Sequence, residues 1–295
     1  MASCFRWIGK SPDGETVTLK KFSGEFRTAE CATPDWLLAN GESVRAGVAL
    51  DTETTGLNRR GDAIIEIGLR AFRFNKTTGD LLALGESYSG LEDPGRPLSD
   101  EVKILTGLRT EDLRGKKIDW IAVDRMLGAA DIILAHNAGF DRPFVEKKSE
   151  AAREKPWGCS QKQIDWTMKG FGSSKLELLS IYHGFFTDAH RALSDVDALL
   201  HLLSMQDART GHPYLNELLI TARRPMVRVF AVNSPFESKD LLKDRGYSWD
   251  LEKKVWSKSI YKESAEAEMA WLESAVYSGS SRGLVEEIAF NQLFK

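Results

Sequence analysis

The stretch "GVALDTETTGL" (47–57) constrains the fold of this chain more than any other. A short apolar run ends on two acids, Asp51 and Glu53, one residue apart. Side chains at i and i+2 on a strand face the same way. The two carboxylates therefore project together from the C-terminal end of a strand, where α/β sheets gather ligands and catalytic groups. Two unpaired carboxylates at one point repel each other and raise one pKa. A hard divalent cation relieves that repulsion, and Mg²⁺ and Mn²⁺ prefer oxygen ligands. Thr54, Thr55 and Gly56 follow, small enough for backbone and ligand to approach closely. For this stretch alone, the alternative is two solvated acids in a turn before a glycine.

The flanking pattern predicts hairpins first and strand–helix alternation afterwards. "DAIIEIGLRAFRFN" (62–75) reads as a second strand and "GDLLALGESYSG" (79–90) as its hairpin partner. "PLSDEVKILTGL" (97–108) reads as a short helix, with Ser99 as cap and Glu101 in its first turn. A helix, a strand over 131–136 and a helix from about Gly139 come next, then helical spacing over 175–184 and 192–206. That order gives an α/β protein with a mixed sheet flanked by helices. Residues 1–44 read as an N-terminal extension with scattered aromatics (Phe5, Trp7, Phe22, Phe26, Trp36), a hairpin on the main domain. The main domain is expected over 45–210, a helix and linker over 211–225, a small α/β module over 226–277 and a tail over 278–295.

Two further acids sit like the first pair. "ILAHNAGFD" runs a buried strand into His136 and Asn137 before Asp141 opens a helix. Alone, Asp141 reads as a helix-start residue that favours the macrodipole. In "DAHRALSDVDALLHLL", His190 precedes a helix and Asp195 lies in its first turn, so a five-residue offset brings the loop back over the carboxylate. Asp197, two residues on and across the helix, is expected to be solvated.

Taken together, the motifs "DTETTGL" (51–57), "HNAGFD" (136–141) and His190-x4-Asp195 resemble the DEDDh 3′–5′ exonucleases. They are similar to the proofreading ε subunit of bacterial DNA polymerase III. The sister branch places a Tyr four residues before its last Asp; Arg191 stands there, so the His branch is the match. The resemblance covers about residues 45–210 and implies a ribonuclease H-like fold. It also implies that Asp51, Glu53, Asp141 and Asp195 hold two divalent ions, Mg²⁺ or Mn²⁺, with Asp51 bridging them. His190 is then the general base, and the product a nucleoside 5′-monophosphate released from a 3′ end. Thr54 and Leu57 are expected to meet the terminal nucleotide, and Leu105 and Phe140 to offer it apolar surface. DNA is favoured over RNA as the single-stranded substrate, in proofreading or repair. An exoribonuclease of the same family and a binding module on an inactive exonuclease fold are the alternatives.

Composition sets the outer bounds. With 42% hydrophobic and 28% charged residues, the chain is an ordinary globular protein rather than a disordered one. A net charge of −3 argues against a protein that coats nucleic acid through bulk charge. No stretch reaches the ~18 apolar residues of a membrane span and the N-terminus lacks a signal-peptide core, so the cytoplasm is the expected location. Cys4, Cys31 and Cys159 fit neither a zinc pattern nor a disulfide framework. Positive charge gathers over 222–262, where ten Lys and Arg face five Asp and Glu, interleaved with Tyr247, Trp249, Trp256 and Tyr261. That combination suits single-strand binding; the other reading is a small aromatic core beneath a solvated face. The terminal "FNQLFK" bears an incomplete likeness to peptides that dock on the bacterial sliding clamp, which would make the clamp a partner, and the resemblance to a proofreading subunit implies a DNA polymerase as another.

Overall fold

The computed structural model describes residues 11–26, 28, 41–188, 190–251, 253–279 and 282–295. The expectations for Phe5, Trp7, Trp36, Cys4 and Cys31 lie outside these residues. The chain divides into two compact units. One runs to Ala222 and includes Phe294 and Lys295; the other is Arg223–Leu293.

In the first unit, β1 (Lys20–Lys21) is followed by the long strands β2 (Val44–Thr54), β3 (Ile64–Asn75) and β4 (Leu81–Leu91). Helices α1 (Asp100–Thr106) and α2 (Trp120–Gly128) precede β5 (Ile132–Ala135), α3 (Ala138–Val145) and β6 (Trp157–Cys159). Then come α4 (Leu176–Tyr182), β7 (Phe185–Phe186), α5 (Ala192–Ser204) and α6 (Tyr214–Ala222). The sheet has the order β4-β3-β2-β5-β6. β2, β3 and β4 pair antiparallel, whereas β5 and β6 join parallel. Ser99 caps α1 by accepting from the Val102 N–H, as its sequence position predicts.

β2 is covered on both faces, and its two-residue period divides the core. Val48 and Leu50 pack with Met126, Leu127, Phe144 and Val145 of α2 and α3. Ala49 packs with Val196, Leu199 and Leu200 of α5. Asp51 and Glu53 share the parity of Ala49, so they emerge on the α5 side. α5 comes close because β3 carries no side chain at Gly68, which pairs with Asp51 in register. A Cβ at Gly68 would lie 2.3 Å from the Leu193 nitrogen and 2.4 Å from the Ala192 carbonyl carbon.

Two expectations need correction here. The N-terminal extension forms no hairpin among its described residues; β1 instead pairs parallel with β7, and Phe22 and Phe26 pack against the α5-side core. The helix expected within 211–225 is α6, which buries Tyr214, Leu215, Leu218 and Leu219 in that core. The supposed tail supplies β11 (Gly283–Ile288), and Leu293 is buried. A strand that pairs along a whole neighbour has its backbone satisfied by that neighbour, and β11 lies antiparallel to β8 (Met226–Ala231) over all six residues.

The second unit completes its sheet with β9 (Ser248–Asp250) and β10 (Val255–Tyr261), in the order β11-β8-β10-β9. Val227, Val229 and Ala231 face a core with Leu242, Leu272 and Val276, contributed by α7 (Lys239–Asp244) and by α8 (Ala265–Trp271) with the turn after it. The basic character expected of this module does not survive its full extent. Residues 263–293 add one Arg and six Glu, so the unit holds eleven basic and eleven acidic residues. Arg224 pairs with Glu263, Arg245 and Lys258 with Glu268, Lys253 with Glu286 and Lys262 with Glu287. Its aromatics are largely structural: Tyr247 is buried and stacks on Trp271, and Tyr261 lies 3.6 Å beneath the Arg224 guanidinium. Trp249 is half exposed, edge-on to Trp256.

Candidate active site

The site is built where β2, α3 and α5 converge. Asp51 and Glu53, both partly buried, leave the end of β2. Asp141 sits in the first turn of α3, only 2% exposed. Its Oδ1 accepts the Thr52 N–H at 3.0 Å and the Thr52 hydroxyl at 2.8 Å. The acid of the second motif is thereby fastened to the residue between the two acids of the first. Asp195 lies in the first turn of α5, and its Oδ2 accepts the His190 N–H at 2.8 Å. Glu53, His190 and Asp195 can each offer a ligand atom within 4.8 Å of the others.

The electrostatics follow from burial and crowding. Desolvation first, then the neighbouring Asp141, Asp195, Glu53 and Glu66, push the Asp51 carboxyl well above its ordinary range. Glu53 is raised to about 8 by desolvation and by Asp195, Glu66 and Asp141, with Arg191 opposing. Desolvation raises Asp141 to about 7 despite its two bonds from Thr52, and raises Asp195 to about 7 against the bonds from the His190 and Arg191 backbone. A set of oxygen donors that cannot all ionise comfortably is one that a hard cation stabilises.

The structure brings the four acids and His190 together across 145 residues of sequence, from Asp51 to Asp195. The four residues expected to meet a nucleotide are placed differently from one another. Leu57 and Leu105 are exposed, as is the neighbouring Ile104. Thr54 is buried, its hydroxyl donating to the Gly56 carbonyl at 2.6 Å. Phe140 is partly buried against Phe144. Asp197 is not simply solvated: it forms a two-pronged pair with Arg70 at 2.5 and 2.9 Å. His136 of the second motif is structural, bonded to Ser160 Oγ at 2.8 Å and the Ser174 carbonyl at 2.7 Å. Burial lowers its pKa to about 4, which leaves the imidazole neutral.

Sequence reasoning missed Glu66 and Arg191. Glu66, on β3 opposite Glu53, is 1% exposed, and Arg191 reaches it with Nε and Nη2 at 3.2–3.3 Å. The signal was available: an acid inside the apolar run "IIEIGL" needs a reason and a partner.

Crowded, largely desolvated carboxylates at the C-terminal end of a sheet strand, beside a histidine, fit the class of metal-dependent hydrolases. The comparisons with known proteins give the family. The exonuclease (RNase_T) family model matches residues 48–203, and the chain belongs to that family. It is a 3′–5′ exonuclease, and the family acts with divalent metal ions. The chain is 29% identical over 195 residues to the DNA polymerase III subunit epsilon of Treponema pallidum, covering 60% of this chain and 85% of that protein. It is 29% identical over 182 residues to the PolC-type DNA polymerase III of Bacillus subtilis, covering 58% of this chain but only 12% of that much longer protein. In fold it is similar to E. coli exonuclease I solved with single-stranded DNA, with a TM-score of 0.51 and 15% identity, over 74% of this chain and 63% of that one. Among the described residues, no helix is long and apolar enough to cross a membrane.

Proposed function

We propose that this chain is a metal-dependent exonuclease that removes nucleoside 5′-monophosphates from the 3′ end of single-stranded DNA. The observation that carries this reading is the carboxylate cluster of Asp51, Glu53, Asp141 and Asp195 where β2, α3 and α5 converge, each raised chiefly by burial. Those four would hold Mg²⁺ or Mn²⁺. A pair of such ions supplies charge on the attacking and leaving oxygens of a phosphodiester. His190 takes the proton from the attacking water, a role suited to imidazole at neutral pH. Asp195 steadies His190 through its backbone N–H. Thr52 holds Asp141 in line with the β2 acids. Leu57 and Leu105, exposed and apolar, give the terminal nucleotide surface to rest on. DNA as the substrate is supported by the likeness to a DNA polymerase III subunit.

The test is a matched pair of 5′-labelled single strands, one DNA and one RNA, with Mg²⁺, Mn²⁺ or EDTA. The expected result is a ladder that shortens from the 3′ end of the DNA only when metal is present. Equal or faster shortening of RNA would move the substrate to RNA ends. Cleavage that persists in EDTA would overturn the metal assignment.

A further inference from the structure

A fifth acid at a site that already crowds four is a burden unless it holds something. Glu66 stands near the start of β3, opposite Glu53 on one side and Leu91 on the other. Its carboxylate is buried, and its ion-pair partner is Arg191, whose side chain is half exposed. Arg191 is the residue between His190 and α5. Its guanidinium meets both Glu66 oxygens through Nε and adds Nη2 to one of them.

His190 itself stands in the left-handed region, at φ 61°. A non-glycine residue is held there only when its surroundings over-determine it. Two contacts do so. On its own backbone, the N–H is fixed by Asp195. At the next residue, Arg191 is fixed to the sheet through Glu66. β3 is anchored between β2 and β4, so the clamp refers the His190 turn to the same sheet that carries Asp51 and Glu53. We infer that the Glu66–Arg191 pair is a positioning pair: it locks the turn at His190 so that the imidazole meets the carboxylate cluster in one orientation. Arg191 is the cation felt by Glu53, a consistent second sign that it belongs to this site rather than to open surface.

The kinetic arm rests on the functional reading above; a second arm does not. Arg191→Gln, Glu66→Gln, the double variant and Arg191→Lys are compared with the wild type on a 5′-labelled DNA strand. Arg191→Gln is expected to lower kcat about ten- to a hundred-fold, the scale of a small misplacement of a reacting group. KM and Mn²⁺ affinity should change less than about two-fold, because no substrate or metal contact is removed. Arg191→Lys should recover part of kcat, and the double variant should be no worse than the poorer single one, as for residues acting as one unit. Hydrogen exchange at the His190 amide is the independent arm: Arg191→Gln should speed it at least about ten-fold while amides in β3 stay protected. An unchanged kcat in folded Arg191→Gln, or a loss confined to KM, would overturn the inference. So would a His190 amide that stays protected. If the wild type itself does not cleave, the functional reading fails, and the exchange experiment still decides the clamp.

Discussion

The two units of this chain handle charge in opposite ways. Around β2, α3 and α5, five acids gather, and among the described residues Arg191 forms an ion pair with one of them, Glu66. In the second unit, basic and acidic residues are equal in number, and Arg224, Arg245, Lys253, Lys258 and Lys262 each meet a glutamate. Balanced pairs at a surface are modest structural contacts. Like charges crowded and half desolvated lower stability unless a ligand enters. The lesson is that uncompensated charge, and not the amount of charge, marks the site. The Lys- and Trp-rich stretch that looked functional in sequence is largely paired once β11 and α8 are in place.

Four experiments would break or sharpen that contrast. The largest effect is expected from Asp51→Asn. Activity should fall by about three orders of magnitude or more, because a ligand at the reacting phosphate is lost. In EDTA the same variant should melt a few degrees higher, since about 1 kcal/mol moves a domain of this size by about 2–4 °C and a repelling charge is gone. Near wild-type cleavage by Asp51→Asn would remove it from the metal set.

Next in size is His190→Ala, expected to lower turnover about 10²- to 10⁴-fold, the range of a lost general base. Mn²⁺ binding, followed by calorimetry, should persist. An equal loss of metal affinity would make His190 a ligand instead, an option its closeness to Glu53 and Asp195 keeps open to experiment.

The third experiment is a pH series. Glu53 at about 8 and Asp141 and Asp195 at about 7 lie above the values of an unfolded chain, about 4. Between those limits the native metal-free protein binds protons that the unfolded chain has released. Their contribution to stability is therefore full below about pH 4 and is lost as pH rises toward 8. The melting temperature in EDTA should fall between about pH 5.5 and about pH 8, and Mg²⁺ or Mn²⁺ should restore it most at the higher pH. A rise in metal-free stability across that window would contradict the crowding argument.

The smallest effect concerns the second unit. Replacing Lys243 and Lys254 by Ala should change the salt dependence of single-strand affinity by less than one unit of slope, because a phosphate contact is worth about one unit. A drop near two units would restore a binding role to this surface.

The strand that carries Asp51 and Glu53, the Ser99 cap and most of the helix expected over 192–206, which runs Ala192–Ser204, were legible because each rests on a local period or a cap. The partner of Asp197 was not. Arg70 lies 127 residues away, and only the packing of α5 on β3 shows that the two meet. β11 escaped for the same reason. "GLVEEI" has a weak strand pattern, and its pairing with β8 is decided more than fifty residues upstream.

The sequence by itself therefore determined which acids and which histidine are candidates for the chemistry and which ends of elements they occupy, since side-chain type and local periodicity are written along the chain. Only the tertiary structure decided how they meet: Asp141 fastened to Thr52, α5 drawn onto the bare backbone of Gly68, and Arg191 clamped to Glu66. The physical reason is that register and close approach are set by contacts between residues remote in sequence. No local pattern encodes a distance across a sheet.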